Sequence, residues 1–231
     1  MTADVNIKKG RSATAQAGSL SMEDIVEILR NRIVEHELPP GSKLREAALT
    51  VEFNVSRPRV REAFGILEER GLIERIPNRG AVVTRLKVDE AFALFEVREV
   101  LEGLAVRLAT EKSSPDTWKD MVELFGKPVE EAMERGELDF YVDCVTEFRR
   151  RTTVAANNLI LAALLDSLYD RTKMLVRRLV LVPGRASKGM CQHQETLRAM
   201  SDGNAELAEQ LKRKNIRSAR DSFDSYKKYL L

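Results

Sequence analysis

The eight residues Ser56-Arg57-Pro58-Arg59-Val60-Arg61-Glu62-Ala63 constrain this chain more than any other stretch. They read as the start of a helix. Ser56 suits the N-cap, where its hydroxyl can accept from a backbone N–H one turn in. Pro58 is tolerated in a first turn, since its missing N–H is not needed there. Val60, Ala63, Phe64 and Leu67 recur at helical spacing and form the face to be buried. Arg57 and Arg61, four residues apart, share another face with Gly65. A helix that opens on three cations works against its own dipole. That local cost makes sense if the helix end meets a polyanion.

The flanking residues set this helix in a small module. Ser21 and Asp24 form a capping-box pattern ahead of a first helix with Ile25, Ile28, Leu29 and Ile33 inward. Leu38-Pro39-Pro40-Gly41 stops it. A second short helix over residues 45–53 turns Leu44, Ala48 and Leu49 inward. Asn54-Val55 is a tight turn, and Gly71 ends the Arg-rich helix near Arg70. Two β-rich runs, residues 72–76 and 81–86, flank Pro77-Asn78-Arg79-Gly80, which predicts a hairpin with a cation at its tip. Three helices and a β-ribbon make a winged helix-turn-helix, which lays its second helix in the major groove. Residues 56–87 hold eight basic and four acidic side chains, a local balance of +4 in a chain of net +2. The positive charge therefore sits on one small segment.

After Val88 the strand signals vanish. Helices are expected over residues 89–112, 114–136, 137–156, 158–182, 185–201 and 204–229, with breaks at Asn157-Asn158, Pro183-Gly184 and Asp202-Gly203. Such a series packs as an antiparallel bundle. The expected fold class is mainly α: an N-terminal winged helix-turn-helix with a small β-hairpin wing and a C-terminal antiparallel all-helical bundle. The expected boundaries are a disordered tail over 1–20, a DNA-binding domain over 21–87 and an effector-binding and dimerisation domain over 88–231. Lys8, Lys9 and Arg11 are read as part of a solvated tail.

Four bundle helices place a polar residue on the apolar stripe: Arg98, Arg149, His193 and Asn215. Burying such groups without partners costs about 1–3 kcal/mol each, and more for a charge. Arg98 can pair with Glu102 one turn on. Four such residues on facing helices point to a shared polar cavity inside the bundle.

Several function classes drop out. The longest apolar run, Leu159 to Leu165, is far short of the ~20 residues a membrane span needs, and no stretch is ordered like a signal peptide. Cys144 and Cys191 form neither a zinc spacing nor a disulfide framework. A cytoplasmic protein without a membrane partner is expected. No nucleophile–base pair, phosphate loop or carboxylate pair on one stripe supports an enzyme.

Residues 38–46, 55–63, 67–73 and 79–83 together resemble the DNA-binding domain of GntR-family bacterial transcription regulators. The resemblance implies DNA contacts from the start of the second helix, the first turn of the recognition helix and the wing tip. Those positions are Arg45, Ser56, Arg57, Arg59, Arg61, Arg79 and Gly80. Ala47 stands where related regulators often have a DNA-contacting arginine.

Val97-Arg98-Glu99-Val100-Leu101-Glu102, Phe148-Arg149 with Ala155-Ala156-Asn157-Asn158-Leu159, and His193 with residues 199–204 resemble the FCD effector domain of the FadR subfamily. Many FCD domains bind a divalent metal through one aspartate and three histidines. Those positions are here Val145, Arg149, His193 and Asn215, so no metal and no cofactor is expected. An arginine can instead hold a carboxylate or phosphate in a bidentate fork. Arg98, Arg149, His193 and Asn215 are then the candidate effector-binding residues, for an anionic organic effector. In the alternative, Glu102 or Glu147 neutralises Arg149 and leaves an apolar or empty pocket, as in acyl-thioester-sensing relatives. The resemblance also implies a homodimer on a palindromic operator, acting as repressor or activator.

Overall fold

The structure, a computed structural model, describes residues 20–230. The expected tail, with Lys8, Lys9 and Arg11, lies outside the described residues except for Leu20, which packs on the first core.

Helix α1 (Met22–Val34) starts on the Ser21–Asp24 capping box. Asp24 N–H donates to the Ser21 hydroxyl at 3.1 Å, and Ser21 N–H donates to the Asp24 carboxylate at 2.9 Å. Helix α2 (Glu46–Phe53) ends at Asn54, whose φ of 51° makes the left-handed turn into α3 (Arg57–Glu69). Asparagine tolerates that conformation better than other side chains with a Cβ. Val60, Ala63, Phe64 and Leu67 are buried against Ile25, Leu29 and Phe53. Two expectations fail locally. Ser56 occupies the N-cap of α3 but its hydroxyl makes no capping hydrogen bond. Ala48 is exposed, because only Leu49 and Phe53 of the short α2 reach the core.

Strands β1 (Ile73–Ile76) and β2 (Gly80–Val83) pair antiparallel, Ile73 with Val83 and Ile76 with Gly80. Both are shorter than expected. The segment after α1 adds backbone hydrogen bonds on the other edge of β2, Leu44 N–H to Ala81 and Val83 N–H to Ser42. This braces the wing in a way that no sequence period announces. Gly80 (φ 83°) and Asn78 (φ 63°) close the tip.

The remainder is helical: α4 (Val88–Lys112), a 3-10 turn (Pro115–Trp118), α5 (Lys119–Leu124), α6 (Lys127–Glu134), α7 (Leu138–Ala155), α8 (Leu159–Val180), α9 (Arg185–Ser201) and α10 (Ala205–Leu230). The single helix expected over 114–136 is three pieces. Pro128 has no N–H to donate to the carbonyl four residues back, at Leu124, so the ladder of α5 ends and the chain resets at Gly126 (ψ −130°). Trp118, Met121, Phe125 and Val129 still reach one core with Phe148, Leu197 and Met200. Asn158 caps α8, accepting from Leu161 N–H at 3.1 Å. Helix α10 lies along α4 and α9, and α7 and α8 pack against α4.

Ion pairs join the winged module to α8. Arg30 of α1 donates to Asp170 at 2.7 Å, and Arg70 lies 3.2 Å from Asp166 and 3.4 Å from Asp170. Glu35 pairs with Lys173 at 2.7 Å and Arg177 at 2.8 Å.

Candidate functional site

Helix α3 presents its first turn outward. Ser56, Arg57 and Arg61 are exposed and Arg59 is half-buried, while Arg45 at the start of α2 and Arg79-Gly80 at the wing tip are exposed. All seven predicted DNA-contact positions thus belong to α3, the start of α2 and the wing tip. Arg61 is not free: its Nε lies 2.9 Å from the Glu46 carboxylate, which ties α3 to the first turn of α2. Arg75 reaches Glu68 at 3.1 Å and so supports the wing rather than its tip.

Inside the bundle, Arg98, Arg149, His193 and Asn215 line one cavity of about 40 Å³ with Tyr141, Val145 and Arg185. Four helices deliver them: α4, α7, α9 and α10. Arg98 Nε donates to Glu102 Oε1 at 2.7 Å, the pairing that the sequence allows. Glu102 Oε2 lies 2.9 Å from Lys212 Nζ and 3.9 Å from Arg149 Nε. The Lys212 contact is not aligned as a hydrogen bond and the Arg149 contact is too long for one, so both are ion pairs by distance. One carboxylate, 1% exposed, therefore serves three cations. It is held far below the usual carboxylate range: Arg98, Lys212 and Arg149 together outweigh the opposing effect of burial, the largest single influence.

The cluster is not saturated. Arg98 Nη1, Arg149 Nε, Arg185 Nη1 and His193 Nδ1 are buried without hydrogen-bond partners. Burial, then Lys212 and Arg149, push the His193 imidazole well below its ordinary value, so it is neutral. Phe125 at 5.4 Å and Phe148 at 5.5 Å enclose its ring. Lys212 is lowered to about 8, by burial first and by the nearby arginines, against the pull of Glu102. Asn215 donates to Gln192 at 3.0 Å. Glu147 does not neutralise Arg149; it binds Arg150 and Arg151 on the outer face.

Residues 93–218 match the FCD domain, and residues 21–83 match the bacterial regulatory proteins of the gntR family. The chain belongs to the gntR family and carries an FCD domain. It is 32% identical over 136 residues to the HTH-type transcriptional repressor RspR of Escherichia coli K12, a match that covers 58% of this chain and 59% of RspR. The chain thus spans less than two thirds of that relative's length. Two solved structures share the fold over most of both chains. E. coli McbR/YncC has a TM-score of 0.71 at 20% identity, covering 90% of this chain and 99% of its own. A putative GntR regulator from Rhodococcus sp. RHA1 has a TM-score of 0.70 at 22% identity, covering 88% and 97%. These confirm a mainly α fold with a winged N-terminal module and a helical C-terminal bundle.

The metal that many FCD domains carry does not fit the donors here. The four corresponding side chains are an apolar valine, an arginine, one imidazole and an amide already donating to Gln192. A divalent cation would also sit among Arg98, Arg149 and Lys212, whose charges repel it. The nearest carboxylate, Glu102, is already engaged by those cations.

Sequence reasoning missed three residues of this GntR–FCD site: Lys212, Arg185 and Tyr141. Lys212 sits three residues before Asn215, so helical spacing places both on one side of α10 and was the available signal. Arg185 stands at the start of α9, where no apolar stripe marks its side as inward.

Proposed function

We propose that this GntR–FCD chain is a DNA-binding transcriptional regulator whose operator affinity is controlled by a small anionic organic effector in the helical bundle. The observation that carries this is the cluster of Arg98, Arg149 and Lys212 around the single carboxylate of Glu102, with unpartnered N–H groups left over. Uncompensated buried cations are costly, and a carboxylate or phosphate supplies what they lack. Arg98, Arg149, His193 and Asn215 are the effector-binding residues in this reading. The neutral His193 donates or accepts one hydrogen bond, and no metal takes part.

On the DNA side, Arg57, Arg59 and Arg61 enter the major groove from the first turn of α3, with Ser56 at its start. Arg45 and the Arg79-Gly80 tip hold the flanking backbone. Arg61 exchanges Glu46 for DNA. The regulator works as a cytoplasmic homodimer on a palindromic operator. RspR is by name a repressor, which supports repression here. No catalysis is assigned to the cavity.

The test is a gel-shift titration on a duplex selected from a random pool, with and without candidate organic acids. An acid that changes operator affinity in the wild type and has no effect in Arg149→Met supports the reading. Undiminished action of every such acid in Arg149→Met overturns it.

A further inference from the structure

Helix α9 begins on Gly184, in left-handed conformation, with Arg185 as its first residue and no acidic side chain in its first turn. The positive end of the helix dipole therefore carries a cation instead of the anion it favours. Arg185 is half-buried. It lines the buried cavity, and its Nη1 is buried without a partner. Its neighbour is the Tyr141 hydroxyl. Both groups lie over Gly189, one turn into α9. A Cβ on that glycine would stand 2.5 Å from Tyr141 Oη and 2.9 Å from Arg185 Nη1. Glycine in mid-helix is unfavourable against alanine. Here its missing side chain leaves room for two polar groups.

The charge count points the same way. Arg98, Arg149, Arg185 and Lys212 gather in and beside the cavity with Glu102 as counter-charge. The other carboxylates close by in sequence are committed elsewhere. Glu147 binds Arg150 and Arg151, Glu209 binds Arg107 and Arg213, and Glu99 binds Arg217. The four cations and Glu102 leave a net +3, so a monoanion leaves +2 and a dianion leaves +1. The space of about 40 Å³ is close to that of one water, so the lining side chains must part to admit even a short skeleton between two acid groups.

We propose that Arg185 and Tyr141, seated over Gly189, form a second anion-binding pole beside that of Arg98 and Arg149, so that the effector is a small dianion. A short dicarboxylate and a phosphorylated small acid share this chemistry. The proposal rests on the reading of this cavity as the effector site, and goes beyond it in assigning two acid groups and the residues that read the second one.

The experiment is calorimetry and thermal denaturation of the full chain at constant ionic strength. The probes are butanoate, butanedioate, pentanedioate, sulfate and inorganic phosphate. The dianions are expected to bind roughly tenfold to hundredfold more tightly than butanoate, the worth of one charged hydrogen-bonded contact. A carboxylate-only response identifies the dicarboxylate class, and a phosphate and sulfate response the phosphorylated class. In Arg185→Gln the preference for two charges is lost, and Gly189→Ala weakens dianion binding by crowding the same pole. Without added anion Arg185→Gln melts no lower than wild type, because one of several like charges around the cavity has been removed. Equal affinity for butanoate and butanedioate in the wild type, or a dianion preference undiminished in Arg185→Gln, overturns the second pole while leaving the anion site standing. No response to any anion overturns both.

Discussion

The Arg149 guanidinium lies over the ring of Tyr169, 4.8 Å from its centroid. Arg149 lines both the buried cavity and a larger cleft of about 340 Å³ between α1, α7 and α8. Tyr169 is followed on α8 by Asp170, which receives Arg30 of α1 and faces Arg70 just past α3. A ligand that moves Arg149 therefore acts on α8 where the winged module is attached. This stacking is one contiguous physical route between the two proposed sites.

Asp170→Asn tests the route. Removing one partner of a buried ion pair costs about 3–5 kcal/mol, but Arg30 and Arg70 are each about a third exposed. A loss of about 1–3 kcal/mol in urea unfolding is expected. The variant should still bind the same anions by calorimetry while its operator affinity responds to them less. An unchanged response places the coupling elsewhere.

Glu102→Gln leaves the buried cations without their counter-charge. A loss of about 3–5 kcal/mol is expected in chemical denaturation. Sulfate should recover part of it, because a bound anion stabilises the folded state by mass action. A loss no larger than that of a surface substitution would show that the cations are hydrated instead of clustered.

Lys212 gives the cavity a pH dependence. It is lowered to about 8 in the fold, from about 10.5 in the unfolded chain. Between those values the unfolded chain holds the proton more tightly, so this group makes stability rise with pH across that window. Anion binding runs the other way. The anion favours protonated Lys212, which faces Glu102, Arg98, Arg149 and the Phe148 ring. Affinity should fall by up to about tenfold per pH unit above about 8. Calorimetry from pH 6 to 10 (roughly the span of the titration) should show this slope in wild type and lose it in Lys212→Met.

Arg57→Ala should weaken binding to the selected operator by about 1–3 kcal/mol if Arg57 reads a base. Affinity should also fall steeply with salt, as phosphate contacts release counterions. Unchanged affinity in a gel shift removes Arg57 from the interface.

Metal analysis of purified protein should find no stoichiometric transition metal. A stoichiometric ion lost in His193→Ala would refute the metal-free reading of the cavity.

Sequence alone determined most of the elements and their order, though spacing predicted one helix where residues 114–136 form three pieces. Local physics fixes the capping box at Ser21 and Asp24, the left-handed Asn54 and the stripe Val60, Ala63, Phe64 and Leu67. The pattern survives in the sequence because each feature depends on neighbours within a turn or two. The break before Pro128 was missed, because the apolar spacing from Trp118 to Val129 runs on across it. The inward placement of Arg98, Arg149, His193 and Asn215 also followed from spacing.

Tertiary structure decided what those buried groups meet. Arg185 and Tyr141 line the cavity, and Lys212 reaches Glu102 beside it, only because α9, α7 and α10 pack around α4, and no period along one helix reports which faces of others will oppose it. The brace of residues 42–44 against β2 and the grip of Arg30 on Asp170 are likewise between residues far apart in the chain. Their energies depend on burial and distance, which arise only when the helices pack.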